Sequence, residues 1–335
     1  MLDRAIALVE EAARRGVFPG GQLVVGDRGA PVLTRAFGVL EPGGAAVTDD
    51  AYYDVASVTK SVVTTTLVLR LVAAGRLGLD DRTTDGHRVR DLLAHSSGLP
   101  AWRPFFERIA PGAPRETLAR LCAAEPLEGA PGARSVYSDL GFILLGEHVE
   151  RVGGARLDEL ARRDIFAPLA MARSAFVDLA GPFRPAPVAP TEIGTVRGEV
   201  HDENCHAAGG ICGHAGLFST ATDLGRFAQA LCASWHGRGS FPRDLARAFL
   251  SPAGVPGSTW RLGWDGPVET GSRIGDLWPK DGALAFGFTG CSLVLDPRRE
   301  RWVALVTNRV HPSRADERIR ELRPALHDAI VDALG

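Results

Sequence analysis

No apolar run in this 335-residue chain approaches the roughly 20 residues that a membrane-spanning helix needs. A helical membrane protein is therefore not expected. Nor does the chain carry an excess of either charge: 38 Lys and Arg against 40 Asp and Glu leave a net charge of −2 and a pI near 6.5. That balance gives no electrostatic reason to bind nucleic acid or an anionic membrane surface. Cysteine is sparse and odd in number, with five residues scattered at 122, 205, 212, 232 and 291, so a disulfide framework is not indicated. Internal repeats and low-complexity tracts are also lacking. Met1-Leu2-Asp3-Arg4 opens an amphipathic helix and not a signal sequence. The expectation is a cytoplasmic protein with reduced thiols, or a periplasmic or secreted one if a leader has been trimmed.

The chain does hold enough apolar material, 45% hydrophobic against 23% charged, to bury one or two sizeable cores. Apolar residues at Leu2, Ile6, Val9 and Ala13 predict a one-sided helix that ends at Gly16. Strands are predicted over 22–25 and 32–37, with Asp27-Arg28-Gly29-Ala30 as the hairpin signal between them. A helix follows from Ser61 toward Gly75. Between 80 and 210 strand signals nearly vanish, and short helices are predicted over 89–94, 115–124, 139–152 and 157–166. Strands return at Thr259–Trp264, Cys291–Leu295 and Trp302–Thr307, and the chain closes with a helix over 315–334. This order predicts an α+β fold in which both ends share one antiparallel sheet with helices inserted between them. The expected division is a discontinuous sheet domain, 1–79 with 215–335, and a helical lobe, 80–214, with the active site in the cleft between.

The chemistry centres on Ser57-Val58-Thr59-Lys60, at the start of the helical run. On a helix Lys60 lies one turn beyond Ser57 on the same face, close enough to exchange a proton with its hydroxyl. Free N–H groups at the helix start favour negative charge beside the serine oxygen. A capping serine followed by a solvated lysine produces the same spacing, so the motif needs support from elsewhere. Tyr137-Ser138-Asp139 before the apolar run 140–145 reads either as a helix cap or as a phenol that relays the serine proton.

Those two motifs, together with Leu92-Leu93-Ala94-His95-Ser96-Ser97-Gly98-Leu99-Pro100 and Gly213-His214-Ala215-Gly216-Leu217-Phe218-Ser219-Thr220, occur in an order that resembles the serine beta-lactamase superfamily. The branch is that of class C beta-lactamases, DD-peptidases and related serine esterases, and the match runs from about Gly20 to Asn308. The resemblance implies a five-stranded antiparallel sheet flanked by helices, with a helical lobe. It implies Ser57 as the acylated nucleophile, Lys60 as its base partner and Tyr137 as the proton shuttle. Asp139, placed with Ala285 and Gly287 among the substrate-binding residues, stands where class C beta-lactamases usually have asparagine, which points away from a dedicated lactamase.

The third motif departs from the pattern. The family places Lys-Thr-Gly or His-x-Gly on the inner strand, here 284–293, and the best alignment sets Ala285-Phe286-Gly287 there. The cation position holds Ala285. The implied oxyanion donors are the backbone N–H groups of Ser57 and Phe288, which need no side chain. Loss of the cation favours a neutral ester or amide over a substrate with a free carboxylate. Asn308 and Arg309 are placed at the cleft rim, where substrate would touch them, and His95 reads as a structural turn histidine.

His201, Asp202, Glu203, Cys205, His206, Cys212 and His214 form a dense cluster that in composition resembles a zinc site, but its spacing matches no standard finger. No metal or cofactor is expected; His214 is assigned to fixing its loop and His201 to lining the cleft. The leading expectation is a serine hydrolase acting through an acyl-enzyme on a small or peptidoglycan-like substrate. The alternatives are a non-catalytic binding homologue, for which Ala285 is the motive, and a metal-binding protein using the 201–214 cluster.

Overall fold

The structure, a computed structural model, describes residues 2–335. Helix α1 (Asp3–Arg14) turns Ala5, Val9 and Ala12 inward. Strands β1 (Gly20–Asp27) and β2 (Ala30–Gly38) follow as a hairpin in which Asp27 pairs with Ala30. The intervening Arg28 and Gly29 have φ of 51° and 79°, the doubly left-handed backbone whose twist suits a two-residue hairpin. After β3 (Tyr53–Asp54), a π-helical stretch Lys60–Thr65 runs into α2 (Thr66–Ala73). Next come α3 (Val89–Leu93), α4 (Glu116–Ala123), α5 (Asp139–Gly153) and α6 (Leu157–Ala161). The chain continues through β4 (Ala175–Phe176), α7 (Glu203–Ala207), β5 (Leu217–Ser219), α8 (Ala221–Trp235) and α9 (Arg243–Leu250). It ends with β6 (Ala283–Phe286), β7 (Ser292–Asp296), β8 (Arg301–Thr307) and α10 (Ile319–Leu334).

The main sheet has five strands in the order β2-β1-β8-β7-β6, every neighbour antiparallel. Its centre joins the two ends of the chain, β1 against β8. Alternation along these strands divides the side chains cleanly. Leu23, Val25, Val303 and Leu305 pack toward α1 and α10, while Val24, Trp302, Ala304 and Val306 enter the larger core shared with α8 and the helical region. A small sheet, β3-β5-β4, ties the segment before Ser57 to both the 175–176 and the 217–219 stretches. Residues 175–176, within the span predicted as a helical lobe, therefore share strands with the sheet-bearing part.

Several predicted elements differ. Thr259–Trp264 is not a strand: Arg261 N–H closes a turn onto the Trp264 carbonyl at 2.8 Å, and Gly263 sits at φ 78°. Its alternation came from Trp260, Leu262 and Trp264 set between Thr259, Arg261 and Gly263, but the structure buries Arg261 together with Leu262 and Trp264, the guanidinium donating to the Leu250 carbonyl at 2.8 Å. The predicted inner strand 284–293 is two strands, β6 and β7, joined by a turn over 287–291. Gly290 at φ 99° makes that turn, with its N–H on the Gly287 carbonyl at 3.0 Å. Helices α8 and α9 went unpredicted. Thr220 caps α8 by accepting from Asp223 N–H at 3.2 Å. Gly225, which weakens the helical signal, is where α8 meets the sheet: a Cβ there would stand 3.1 Å from Val24 Cγ1.

Candidate active site

Ser57 lies between β3 and the π-helical stretch, held from behind by a buried carboxylate. Asp54 Oδ1 accepts the Ala56 N–H and its Oδ2 accepts the His201 N–H, both at 2.8 Å, while the Asp54 carbonyl accepts the Thr289 hydroxyl at 2.7 Å. Ala56, immediately before the serine, is left-handed at φ 47°. A non-glycine residue in that region stores strain that its surroundings must hold. Gly287 approaches this corner so closely that a Cβ on it would lie 2.4 Å from the Val55 carbonyl oxygen. Three chain segments are thus fastened around the serine.

Lys60 is buried, 3% exposed, and its ammonium donors are all engaged. Nζ donates to Ser57 Oγ at 2.9 Å and to the His214 carbonyl at 3.0 Å, and lies 2.7 Å from Asp139 Oδ1. Burial works against its charge, but Asp139 and Tyr137 outweigh it and hold the pKa above the ordinary lysine value. In the resting protein Lys60 is an ammonium. Tyr137 forms part of the cleft wall, 39% exposed, with the Lys60 ammonium 5.0 Å from its ring centroid. Its hydroxyl is within hydrogen-bonding reach of both Lys60 and Ser57, and burial of that hydroxyl pushes its pKa up against the pull of Lys60.

Local sequence explains this placement. Ser138 caps α5 by accepting the Gly141 N–H at 3.2 Å, which sets Asp139 at the first helical position beside Lys60. His95 Nδ1 accepts the Ser138 N–H at 3.0 Å, and the ring packs tilted against Tyr137 and Phe142 and edge-on to Trp260, with centroids 4.2–5.0 Å apart. Burial keeps that imidazole neutral, well below the usual histidine range. His95 thus packs against Tyr137 and holds the backbone N–H that follows it.

Among the described residues, neither the Ser57 N–H nor the Phe288 N–H has an acceptor within the protein. Both are free to meet an oxygen bound in the cleft, the arrangement an oxyanion requires. Ala285 and Gly287 line the same cleft, a cavity of about 1010 Å³ that also carries Trp102, Trp260 and a group of arginines.

This architecture has relatives. A sequence model of the beta-lactamase family matches residues 5–327. The chain belongs to the beta-lactamase family. It is 30% identical over 312 aligned positions, 80% of this chain and 71% of the other, to an Escherichia coli (strain K12) protein provisionally assigned as a D-alanyl-D-alanine carboxypeptidase. It is 28% identical to the N-acetylmuramyl-L-alanine amidase of Bacillus subtilis (strain 168), covering 88% of this chain and 78% of that one. Among solved structures, EstCE1, a hydrolase with promiscuous acyltransferase activity, superposes with a TM-score of 0.79 over 98% of each chain, at 19% identity. That last likeness speaks for the fold alone.

Within this beta-lactamase-family cleft, other predicted residues take different places. Asn308 is buried at 2% exposure, with Nδ2 donating to the Leu40 and Pro190 carbonyls at 2.9 Å each. It ties two loops together and does not line the cleft. Asp139, predicted to touch substrate, is engaged by Lys60. His214 reaches the site through its backbone, because its ring turns away to Asp202, Nε2 to Oδ1 at 2.9 Å. Burial opposes charge on that imidazole, but Asp202 prevails and lifts it to about 10. The 201–214 cluster is dispersed into pairs, His201 with Glu192 at 2.7 Å and His206 with Glu199 at 2.9 Å. Among the described residues no three His, Cys, Asp or Glu side chains converge on a metal-sized point. Sequence reasoning missed Asp54 and read Asp202 only as part of the 201–214 cluster, not as the partner of His214. A single acid beside a motif carries no periodic signal; only the fold shows which backbone donors it serves.

Proposed function

We propose that the protein is a serine hydrolase that forms an acyl-enzyme at Ser57 from an ester or amide. The observation that carries this reading is the contact of Ser57 Oγ with a buried, acid-paired Lys60 beneath Tyr137. Ser57 Oγ bonds to the substrate carbonyl carbon while its proton passes to the Lys60–Tyr137 pair. Because Lys60 rests as an ammonium, that pair accepts a proton only after losing one, so the titration belongs to the pair and not to either residue. The Ser57 and Phe288 N–H groups hold the oxyanion. The pair then hands its proton to the departing oxygen or nitrogen as that bond breaks. Water attacks the acyl carbon, gives its proton to the pair, and the acid leaves as Ser57 is reprotonated.

Ala285 is the one observation that favours a non-catalytic binding protein, and the two readings separate in one experiment. Intact-mass spectrometry after exposure to a fluorophosphonate is expected to show one covalent adduct in the native protein and none in Ser57→Ala. Turnover of p-nitrophenyl butyrate is expected to disappear in the same variant. Ester turnover that survives Ser57→Ala would refute the mechanism. The relative named as a D-alanyl-D-alanine carboxypeptidase makes D-amino-acid peptides the second substrate class to assay, and the one named as an N-acetylmuramyl-L-alanine amidase makes muramyl-L-alanine amides the third.

A further inference from the structure

Two cysteines of the 201–214 cluster, Cys205 and Cys212, have no part in the proposed hydrolysis. Helix α7 ends at Ala207, and Gly209 and Gly210, at φ 90° and 94°, turn the chain back, with the Gly210 N–H on the Cys205 carbonyl at 2.9 Å. This reversal brings Cys212 within hydrogen-bonding reach of the Cys205 thiol. Both are free thiols. Cys205 is fully buried, with Sγ 3.4 Å from the Ala215 carbonyl oxygen, while Cys212 keeps 8% of its surface exposed. Cys212 lines a recess of about 40 Å³ beside α4 and α5, at whose rim Glu116 and Glu147 are exposed. None of the residues of this recess lines the Ser57 cleft. It has room for a molecule the size of hydrogen peroxide.

Cys212 also lies within hydrogen-bonding reach of the His214 ring. His214 Nε2 is taken by Asp202 at 2.9 Å, and its Nδ1 is buried with no oxygen or nitrogen for a partner. The acid-held imidazole is charged at neutral pH, which sets a cation beside the sulfur. Hydrogen bonding from Cys205 and from this imidazolium lowers the Cys212 thiol from 9.0 to about 6 against the effect of burial. Burial pushes the thiols of Cys122, Cys232 and Cys291 up instead. A thiolate at a solvent-facing recess, with a second thiol in contact, is the arrangement in which a cysteine is oxidised and then resolved.

The pair stands directly behind Lys60. The His214 carbonyl accepts from Lys60 Nζ at 3.0 Å, and the Gly213 carbonyl accepts the Thr64 hydroxyl at 2.6 Å. Gly213 is wedged against α5, where a Cβ on it would stand 2.2 Å from the Phe142 carbonyl oxygen. A shift of this segment has no slack to absorb it and passes on to Lys60.

We propose that Cys212 is an oxidation site that closes onto Cys205 as a disulfide and slows the chemistry of Ser57. The oxidant is a hydroperoxide. The Cys212 thiolate takes its terminal OH as the O–O bond breaks, giving a sulfenic acid, and the other oxygen leaves as hydroxide or alkoxide and picks up a proton. The Cys205 sulfur then attacks the Cys212 sulfur; the S–O bond breaks, and the hydroxyl departs with the Cys205 proton as water. The two sulfurs end about 2 Å apart, which draws 212 and the adjoining 213–214 segment toward Cys205. This goes beyond the serine-hydrolase reading, and only the effect on Ser57 rests on it.

The test begins with reduced native protein treated with hydrogen peroxide. Peptide mapping without reductant is expected to find a Cys205–Cys212 bridge. In Cys205→Ser, dimedone is expected to trap the sulfenic acid on Cys212, and in Cys212→Ser to trap nothing. Fluorophosphonate labelling of Ser57 in the oxidised native protein is expected to slow roughly 10- to 100-fold, the range for a reacting group displaced by about 1 Å, and to recover with dithiothreitol. Peroxide-treated Cys212→Ser is expected to label as fast as its own untreated sample. Absence of a bridge, or a bridge from Cys212 to another cysteine, would overturn the oxidation site; the mapping uses the native protein and stands whether or not the variants fold. A bridge that leaves Ser57 labelling unchanged would overturn its effect on the nucleophile. A bridge in a protein whose reduced form never labels at Ser57 would sink the hydrolase reading and leave the oxidation site standing.

Discussion

Replacing Asp139 by asparagine tests the proton inventory of the site more sharply than removing the serine does. Asp139 Oδ1 stands 2.7 Å from Lys60 Nζ, with the two side chains 16% and 3% exposed. Its charge raises the pKa of Lys60, and raises that of Tyr137 as well. Asparagine keeps the shape and removes the charge, so both groups shift downward together. An opposite charge at this range is worth roughly 1–3 pKa units, or about 1.4–4 kcal/mol between protonation states. The active form has lost one proton from the pair, so kcat/KM in the native protein is expected to climb with pH above neutrality. In Asp139→Asn the acidic limb moves to lower pH by roughly 1–3 units. The gain at pH 7 is smaller than the gain in active fraction, because a weaker base removes the serine proton less readily. The assay is a pH–rate profile of p-nitrophenyl butyrate hydrolysis. A limb that stays in place, or moves to higher pH, would refute the reasoning. Stability supplies the companion reading. Lys60 is raised in the folded state, so its ion pair stabilises fully below the ordinary lysine value of 10.5 and is lost as pH rises through the folded value. The variant should therefore melt lower than the native protein at neutral pH, with the gap closing at alkaline pH.

Two further outcomes follow from the surroundings of the serine. Gly287→Ala sets a Cβ 2.4 Å from the Val55 carbonyl, which cannot yield without moving Ala56 and the Phe288 N–H. Turnover and fluorophosphonate labelling should fall on the order of 100-fold while a cooperative melt persists, as for the loss of an oxyanion donor; near-native labelling would count against Phe288 as that donor. The buried Asp202–His214 pair should shape stability against pH. His214 is raised from 6.5 to about 10, so its contribution is complete below 6.5 and is lost on the way to 10. Asp202 is lowered from 3.8 to about 2 by His214 against the effect of burial, so its contribution is complete above 3.8 and is lost as pH falls toward 2. Asp202→Asn should flatten the melting temperature at both ends, and an unchanged profile would show that the pair is not charged.

The parts of this site that could be read from sequence are those that repeat a local rule. Ser57 and Lys60 share a helix face because three residues make nearly one turn, and Ser138 caps α5 by standard chemistry. The hairpin at Arg28-Gly29 and the apolar runs of β1 and β8 were equally legible. What escaped depends on contacts between distant segments. Nothing local in Asn308 says that it will bond loops at Leu40 and Pro190, 268 and 118 residues away in the chain. The false strand at Thr259–Trp264 arose because Trp260, Leu262 and Trp264 alternate with Thr259, Arg261 and Gly263 in sequence while the backbone closes a turn there. Helix α8 hid behind Gly225, whose missing side chain serves packing against Val24 and Trp302.

The exchanges at positions 139 and 285 bear on one another. Where the family pattern sets a cation on the inner strand, Ala285 supplies none, and where class C members usually carry a neutral amide, Asp139 supplies a carboxylate. Beside the serine, therefore, the charge of Lys60 is cancelled locally at 2.7 Å and offers little net attraction to an anionic group. An anion entering this cleft finds most of its arginines already engaged by acids. Arg309 and Arg323, bonded to backbone carbonyls alone, keep their charge uncompensated in a low-dielectric wall, where a counter-charge is worth more than at the surface.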